Sequence, residues 1–438
     1  MNSHITEDLP RKLTLLDATM ITAGSMIGSG IFIVPATIAL YLQSSFPIIL
    51  VWIVGGIVSL FGVMSVAELG AMMPRAGGIF VYLREAYSPL WGFLYGWAAF
   101  TVINTASIAA VAVTFATYMS YFFPMGGQET KLMAIASIVF LTTINCFGIK
   151  VGAGIQNVFT ITKIGALLAL AALSFMLSGG STSNFSPVLP SMPMASLTGP
   201  FVLAMVAALW SYDGWIEITY VAGEVIDPQR NLPRSLAIGT IIVILLYILI
   251  SCAVSYVLPI ETAAHSQLVL SDTTVKIMGT GGAVFISLAV IISTFGTNNG
   301  FIFTCPRIYY AMAKEGLFFK WLGTVHPKYA TPIPSLIAQA VLSSAFILSG
   351  TFDQFITYVV FASWLFYSMS AGAVFILRKR SPDVPRSYKT WGYPFTPILF
   401  ILFAMGLVGF SIKESPRDSL IGLGIVLSGL PAYLYWKR

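Results

Sequence analysis

Gly24 to Gly30, GSMIGSG, hold three glycines and two serines inside an apolar run, Leu13 to Leu42, whose one charge is Asp17. A second apolar run is interrupted in the same way: LWSYDGWIEI, 209–218, puts Asp213 and Gly214 near its middle. A third, FTITKIGALLAL, 159–170, holds Lys163. Glycine costs a helix interior about 1 kcal/mol, and an ionised Asp at bilayer depth at least ~2.5 kcal/mol. A break leaves backbone N–H groups at the start of one half-helix and C=O groups at the end of the other. In lipid these must be satisfied by protein, water or ligand. The N–H end attracts an anion and the C=O end a cation. The carboxylate and ammonium of an amino acid suit both ends. The candidate substrate-binding residues are therefore those of the two breaks: Met26, Ile27, Gly28, Ser29 and Gly30, with Trp210, Ser211 and Asp213. Gly24-x-x-x-Gly28 is also a pattern that lets membrane helices pack closely. A phosphate loop does not fit, because no strand precedes the glycines and no Gly-Lys-Ser/Thr follows.

The elements that position these residues are membrane helices. The 438 residues are 57% hydrophobic and 9% charged, against about 25% charged in a soluble protein. Spans of about 20 apolar residues fall at roughly 14–42, 47–73, 89–123, 132–149, 155–178, 199–223, 235–258, 282–312, 333–350, 355–377, 396–412 and 419–436. The third is over-long and is expected to begin with a surface helix. The segment MNSHITEDLPRK is too charged and too short for a cleaved signal peptide. Lys and Arg concentrate in loops on the side of the N-terminus, among them Arg11, Lys12, Arg75, Arg84, Lys150, Arg307 and Arg378 to Arg380. The opposite side has Lys131, Lys276, Lys413 and Arg417. The positive-inside rule then places both termini in the cytoplasm, and the membrane expected is the cell inner (plasma) membrane. The net charge of +6 is spread over short loops and does not indicate nucleic acid.

The breaks lie in the first and sixth spans, five apart, so a second copy of a five-span unit would enter from the opposite side. This is the inverted-repeat logic of secondary transporters. It divides one polytopic domain, 1–438, into helices one to five (11–178), six to ten (199–380) and eleven and twelve (396–436). Lys163 lies two turns into the fifth span, ~12 Å, where a lysine either faces a cavity or snorkels to the interface. Glu217, one turn beyond Asp213, lines an inner vestibule or pairs structurally. Glu68, at the end of the second span, reads as an interfacial or structural residue. Tyr256 in the seventh span is a candidate gate or substrate contact, or a core aromatic. Cys146, Cys252 and Cys305 fall in spans with no loop partner, so no disulfide framework is expected. His4, His265 and His326 lie in loops or near termini, and no metalloprotease or nucleophile-elbow motif occurs. No enzyme activity, cofactor or metal is expected. Paired breaks in one asymmetric chain favour a carrier over a channel.

GSMIGSGIF (24–32), PRAGGIFVYLREAYSPLWGFLYGW (74–97), SYDGWIEITYVAGEVIDPQRNLPRSLAIG (211–239) and the stretch from Gly296 to Leu336 resemble the amino acid–polyamine–organocation superfamily, most closely its L-type amino acid transporter branch. The resemblance covers about 11–436. It implies an all-α membrane fold of 12 helices, with a five-plus-five inverted-repeat core, broken helices one and six and two additional helices. It implies sodium-independent alternating access, often as exchange. By motif, Met26 offers a carbonyl to the substrate ammonium, Ser29 and Gly30 offer N–H groups to the carboxylate, and Trp210 gates. The carbonyls of Trp210 and Asp213 complete the ammonium site. Lys163 stands where sodium sits in sodium-coupled relatives, with Thr297 of the eighth span as partner. The eukaryotic light subunits carry a cysteine in the loop after span three; here that loop, FPMGGQETK (123–131), has none. A bacterial-type chain without a disulfide-linked heavy subunit is therefore expected. Trp210 and Ile216 suggest a small neutral amino acid: Ala, Ser, Thr or Cys. The alternative is a proton-coupled carrier of another amino acid-like solute or a polyamine.

Overall fold

The computed structural model describes residues 9–177, 179–190, 193–349, 352–414 and 416–437. His4 and Arg438 lie outside them. Helix α1 (Leu15–Met26) starts on a capping box, in which Thr14 and Asp17 bond each other's backbone N–H. It stops at the glycine-serine stretch, and α2 (Gly30–Leu42) resumes after a bend of 43°. Helix α3 (Ser45–Met72) and the short α4 (Ile79–Ala86) follow. Helix α5 (Pro89–Ala98) passes through a π-helical turn, 99–103, into α6 (Asn104–Met119). The third span is thus one continuous 31-residue helix, Pro89–Met119, without the expected surface helix at its start. Its extra length includes the π turn, where the Thr105 hydroxyl reaches back five residues to the Phe100 carbonyl at 3.0 Å.

Helices α7 (Gly127–Cys146) and α8 (Ile149–Met176) complete the first half. The second opens with α9 (Met194–Ser211), a break, and the single turn α10 (Glu217–Tyr220). Then come α11 (Pro228–Val257), the short α12 (Ile260–Ala264) and α13 (Val269–Met278), and α14 (Thr280–Thr304). Helix α15 (Pro306–Lys314) extends α14 past Pro306. Helices α16 (Ile333–Ser349), α17 (Phe352–Arg380), α18 (Phe395–Glu414), α19 (Pro416–Leu427) and α20 (Gly429–Trp436) end the chain.

Nine described helices are long and apolar enough to cross a bilayer, ten with the bent first pair; α9 and α16 are apolar but shorter. Large apolar side chains such as Phe140, Val158, Leu245, Val341 and Leu402 stand exposed on the outer face. Lipid, unlike water, is a matching solvent for such a surface. The molecule is a multi-pass membrane protein. Spans five apart in sequence pack together. Helix α2 lies on α9 and α1 on α10, α3 lies on α11, α6 on α14, and α7 on α16. Helix α1 also packs against α8, α11 and α14, so the first break lies among the fifth, seventh and eighth spans.

Buried contacts tie distant segments together at the basic end of the bundle. Leu13 pairs with Val225 as an isolated parallel bridge, and the N–H groups of Lys12 and Leu13 both donate to the Glu224 carbonyl at 2.8 Å. Arg307, read from sequence as an inner-loop charge, is instead wholly buried in α15. Its guanidinium is 2.8 Å from the Glu224 carboxylate, also wholly buried. Glu68 is structural, as expected. Arg378 grips it with two bonds (2.8 and 2.7 Å), and the Thr390 N–H and hydroxyl add two more at 2.7 Å.

Candidate substrate site

Both breaks face one cavity. Ser25, Met26, Gly28, Ser29 and Gly30 line it from the first, and Trp210, Ser211, Asp213, Gly214 and Glu217 from the second. Asn104 and Ser107, just past the π turn, close one side; Thr297, Phe301 and Tyr367 close others. Two glycines set the approach of the broken helices. A Cβ on Gly30 would lie 2.7 Å from the Ser211 hydroxyl and 3.0 Å from its Cα. Gly214 has φ +107°, and a Cβ there would meet the Ser25 carbonyl at 2.7 Å. Gly24 serves packing: a Cβ would strike the Thr160 hydroxyl and the Gln156 amide of α8.

The cavity presents N–H groups at one place. Gly30 opens α2, where the first N–H groups of a helix lack intrahelical acceptors. Among the described residues the Ser29 and Gly30 N–H groups make no backbone hydrogen bond. Carbonyls lie across the break, but two of them already accept bonds. The Met26 carbonyl accepts the Tyr247 hydroxyl and the Gly28 N–H, each at 2.9 Å. The Trp210 carbonyl accepts the Asp213 N–H at 3.2 Å. A ligand ammonium at Met26 has to share that oxygen with Tyr247. Asp213 Oδ1 accepts the Gly214 N–H (2.8 Å) and the Tyr367 hydroxyl (3.0 Å).

Lys163 is 1% exposed and does not snorkel. Its ammonium donates to the carbonyls of Gly24 (2.5 Å) and Ile27 (2.7 Å) and to the Thr297 hydroxyl (3.0 Å), with the Ser293 carbonyl at 3.4 Å. Thr297 and Ser293 of α14 also bond the Ile27 carbonyl, at 2.8 and 3.0 Å. The carbonyl end of a helix is the negative end of its dipole, so α1 supplies the counter-charge without a carboxylate. One cation therefore joins the fifth, first and eighth spans.

Three expectations change. Ile27 does not line the cavity; its carbonyl belongs to the Lys163 cluster and its side chain is buried. Tyr256 is also absent from the cavity wall. It lies nine residues beyond Tyr247, about 13 Å along α11, where it packs on Phe175 and its carbonyl receives the Ser181 N–H at 2.9 Å. Asp213 and Glu217 do share the cavity, but the non-helical break between them brings them there, not one helical turn. Sequence reasoning missed Tyr247, whose hydroxyl meets the Met26 and Ser211 carbonyls, and Asn104, Thr304 and Tyr367. A tyrosine in an apolar helix gives no positional signal; the π turn beside Asn104 has none in composition.

Two interrupted helices meeting at a polar cavity inside a multi-pass bundle define a membrane carrier. Residues 13–429 match the amino acid permease family, and the chain belongs to it. It is 34% identical to the serine/threonine exchanger SteT of Bacillus subtilis, over 99% of each chain. It is 33% identical to mouse b(0,+)-type amino acid transporter 1, over all of this chain and 91% of the relative. Mouse large neutral amino acids transporter small subunit 2 is 32% identical, over 98% of this chain and 82% of its own. These relatives are transporters, not enzymes.

Proposed function

We propose that this chain is a sodium-independent exchanger of small neutral L-amino acids, serine and threonine foremost, working by alternating access. The observation that carries the proposal is the pairing of free N–H groups at Ser29 and Gly30 with the Lys163 amine held by the Gly24 and Ile27 carbonyls and the Thr297 hydroxyl. The first suits a substrate carboxylate. The second provides the cationic bridge between spans that a sodium ion would otherwise make. The likeness to a serine/threonine exchanger over both full lengths supports the substrate class. Met26, Ser29, Gly30, Trp210 and Asp213 form the substrate site in this reading, and Trp210 acts as its gate.

The same reading includes twelve spans, with α9 and α16 crossing in the bundle despite their length. The basic end is cytoplasmic, both termini lie there, and the membrane is the plasma membrane. Helices one to five and six to ten form two inverted repeats; the packing of spans five apart supports this. The loop 123–131 lacks a cysteine, which supports action without a disulfide-linked heavy subunit. The test is uptake of radiolabelled L-serine into proteoliposomes. Equal uptake in choline and sodium buffers, rising when the vesicles hold unlabelled serine, is expected. A strict sodium requirement, or uptake indifferent to internal amino acid, overturns the reading.

A further inference from the structure

The two breaks answer the carboxylate and the ammonium, which every amino acid carries. A side chain needs its own wall, and α6 supplies one with Asn104 and Ser107, three residues apart on one helix face. Their neighbours in that wall, Ile103, Ala106, Ala110 and Val111, are apolar.

The hydrogen bonds around Asn104 decide what it presents. The π turn brings its N–H to the Ala99 carbonyl. The Tyr309 hydroxyl donates to the same carbonyl at 3.4 Å, so the Tyr309 oxygen is left to accept, and the Asn104 amide nitrogen donates to it at 3.3 Å. Tyr309 is wholly buried, with its ring edge-on to Phe100 at 4.8 Å between centroids. The amide is thus anchored through Nδ2, and Oδ1 accepts no hydrogen bond among the described residues. Asn104 is 5% exposed, yet Oδ1 is not one of the unpartnered polar atoms sealed inside the bundle. The open space beside Asn104 is the cavity. Ser107 is arranged alike. Its hydroxyl gives its one proton to the Ile103 carbonyl at 2.7 Å, which leaves the oxygen to accept.

Other polar side chains of the cavity are committed. Thr297 donates to the Gly24 and Ile27 carbonyls, and Ser211 to the Ala207 carbonyl. Asp213 accepts from Gly214 and Tyr367, and Glu217 from Thr304 and Cys305. The Ser25 hydroxyl is sealed from the open space. Asn104 and Ser107 therefore set two acceptors in an apolar wall. A hydroxyl brings the proton they lack, and a methyl group does not.

We propose that Asn104, with Ser107 beside it, determines the specificity of the site: its Oδ1 accepts the side-chain hydroxyl proton of a short β-hydroxy amino acid. The proposal deepens the reading of this cavity as the amino acid path and rests on it. An apolar pocket alone separates a hydroxyl compound from its isostere only weakly, whereas a wall built to bond the hydroxyl is left unpaired by the analogue that lacks it.

The test measures exchange by the full chain in proteoliposomes for two matched pairs. L-serine and L-alanine differ by one hydroxyl; L-threonine and L-valine exchange a hydroxyl for a methyl. The wild type is expected to favour the hydroxyl member of each pair by about tenfold in kcat/KM, the equivalent of one hydrogen bond. In Asn104→Leu, which keeps the bulk and removes the amide, that preference is expected to vanish. Ser107→Ala, a smaller change, is expected to lower it, and decides the matter if Asn104→Leu is not recovered folded. A wild type without the preference, or a preference unchanged in the recovered variants, overturns the proposal while leaving sodium-independent exchange intact. No exchange of any amino acid by the wild type sinks the transport reading instead.

Discussion

The Tyr247 hydroxyl donates to the carbonyl of Met26 at 2.9 Å, and the Ser211 carbonyl lies 3.1 Å from the same oxygen. One phenol proton therefore serves the ends of both broken helices. The ring is held by edge contacts with Trp52 and a tilted contact with Tyr212. A Tyr247→Phe variant keeps that packing and loses the proton. One net hydrogen bond is worth about 1 kcal/mol, so the melting temperature should change little. Exchange should slow roughly five- to tenfold, because the two breaks lose their common donor. Wild-type kinetics in proteoliposomes would show that the hydroxyl is not used.

The second prediction concerns Gly30, where the breaks touch. A side chain there meets Ser211 backbone as well as its hydroxyl. Gly30→Val adds a β-branched group that is stiff about χ1 and cannot turn away. Membrane insertion should be unaffected, while serine binding and exchange are lost. If the variant inserts and binds serine normally, Gly30 serves packing only and the carboxylate is held elsewhere.

These residues were visible in the sequence because they are expensive where they stand. Glycines, an aspartate and a lysine inside membrane-length apolar runs each ask for a reason, and Gly30, Asp213 and Lys163 were found on that ground. Tyr247 and Tyr256 asked for none: both are aromatic residues in one apolar helix, and nothing in composition tells which faces the breaks. Arg307 was assigned to a loop because basic residues normally sit there, and its buried partner Glu224 lay 83 positions away in the chain. Cys305 was placed only as a cysteine within an apolar span; its nearness to Glu217 depends on how α14 meets the turn after the second break, which no local pattern records. The helices themselves were legible almost throughout, since hydrophobic length is a strong signal. The π turn was not, because a backbone hydrogen bond reaching five residues back, from the Asn104 N–H to the Ala99 carbonyl, leaves the composition unchanged.

The third prediction tests the buried pair at the basic end. Removing one partner of a desolvated ion pair costs about 3–5 kcal/mol, whereas replacing both by apolar residues is often close to neutral. Arg307→Leu should therefore lower thermal stability markedly in detergent. Adding Glu224→Leu should recover much of the loss. The double variant should also exchange differently from the wild type, because the pair ties α15 to the segment after the second break. Additive losses from the two single changes would mean that Arg307 and Glu224 are not energetically coupled.

The last prediction concerns Lys163. Its ammonium is spent on the Gly24 and Ile27 carbonyls and on Thr297, three groups that come from α1 and its break and from α14. Lys163→Ala deletes the cation and leaves the Gly24 and Ile27 carbonyls with the hydroxyls of Thr297 and Ser293 alone. Loss of a buried charged partner at about 3–5 kcal/mol is large beside the few kcal/mol that separate conformations in an alternating carrier. Exchange should fall sharply while folded protein is still recovered. Lys163→Arg should not restore it. A planar guanidinium is longer and fans its donors in a fork, whereas the oxygens here surround a single point. Thr297→Val should give a milder loss, since the two carbonyls still hold the ammonium. Initial serine uptake, normalised to folded protein, orders the three variants: Thr297→Val above Lys163→Arg and Lys163→Ala. Near-wild-type uptake by Lys163→Ala would remove the cation from the transport cycle and leave it as a structural clamp on the broken helix.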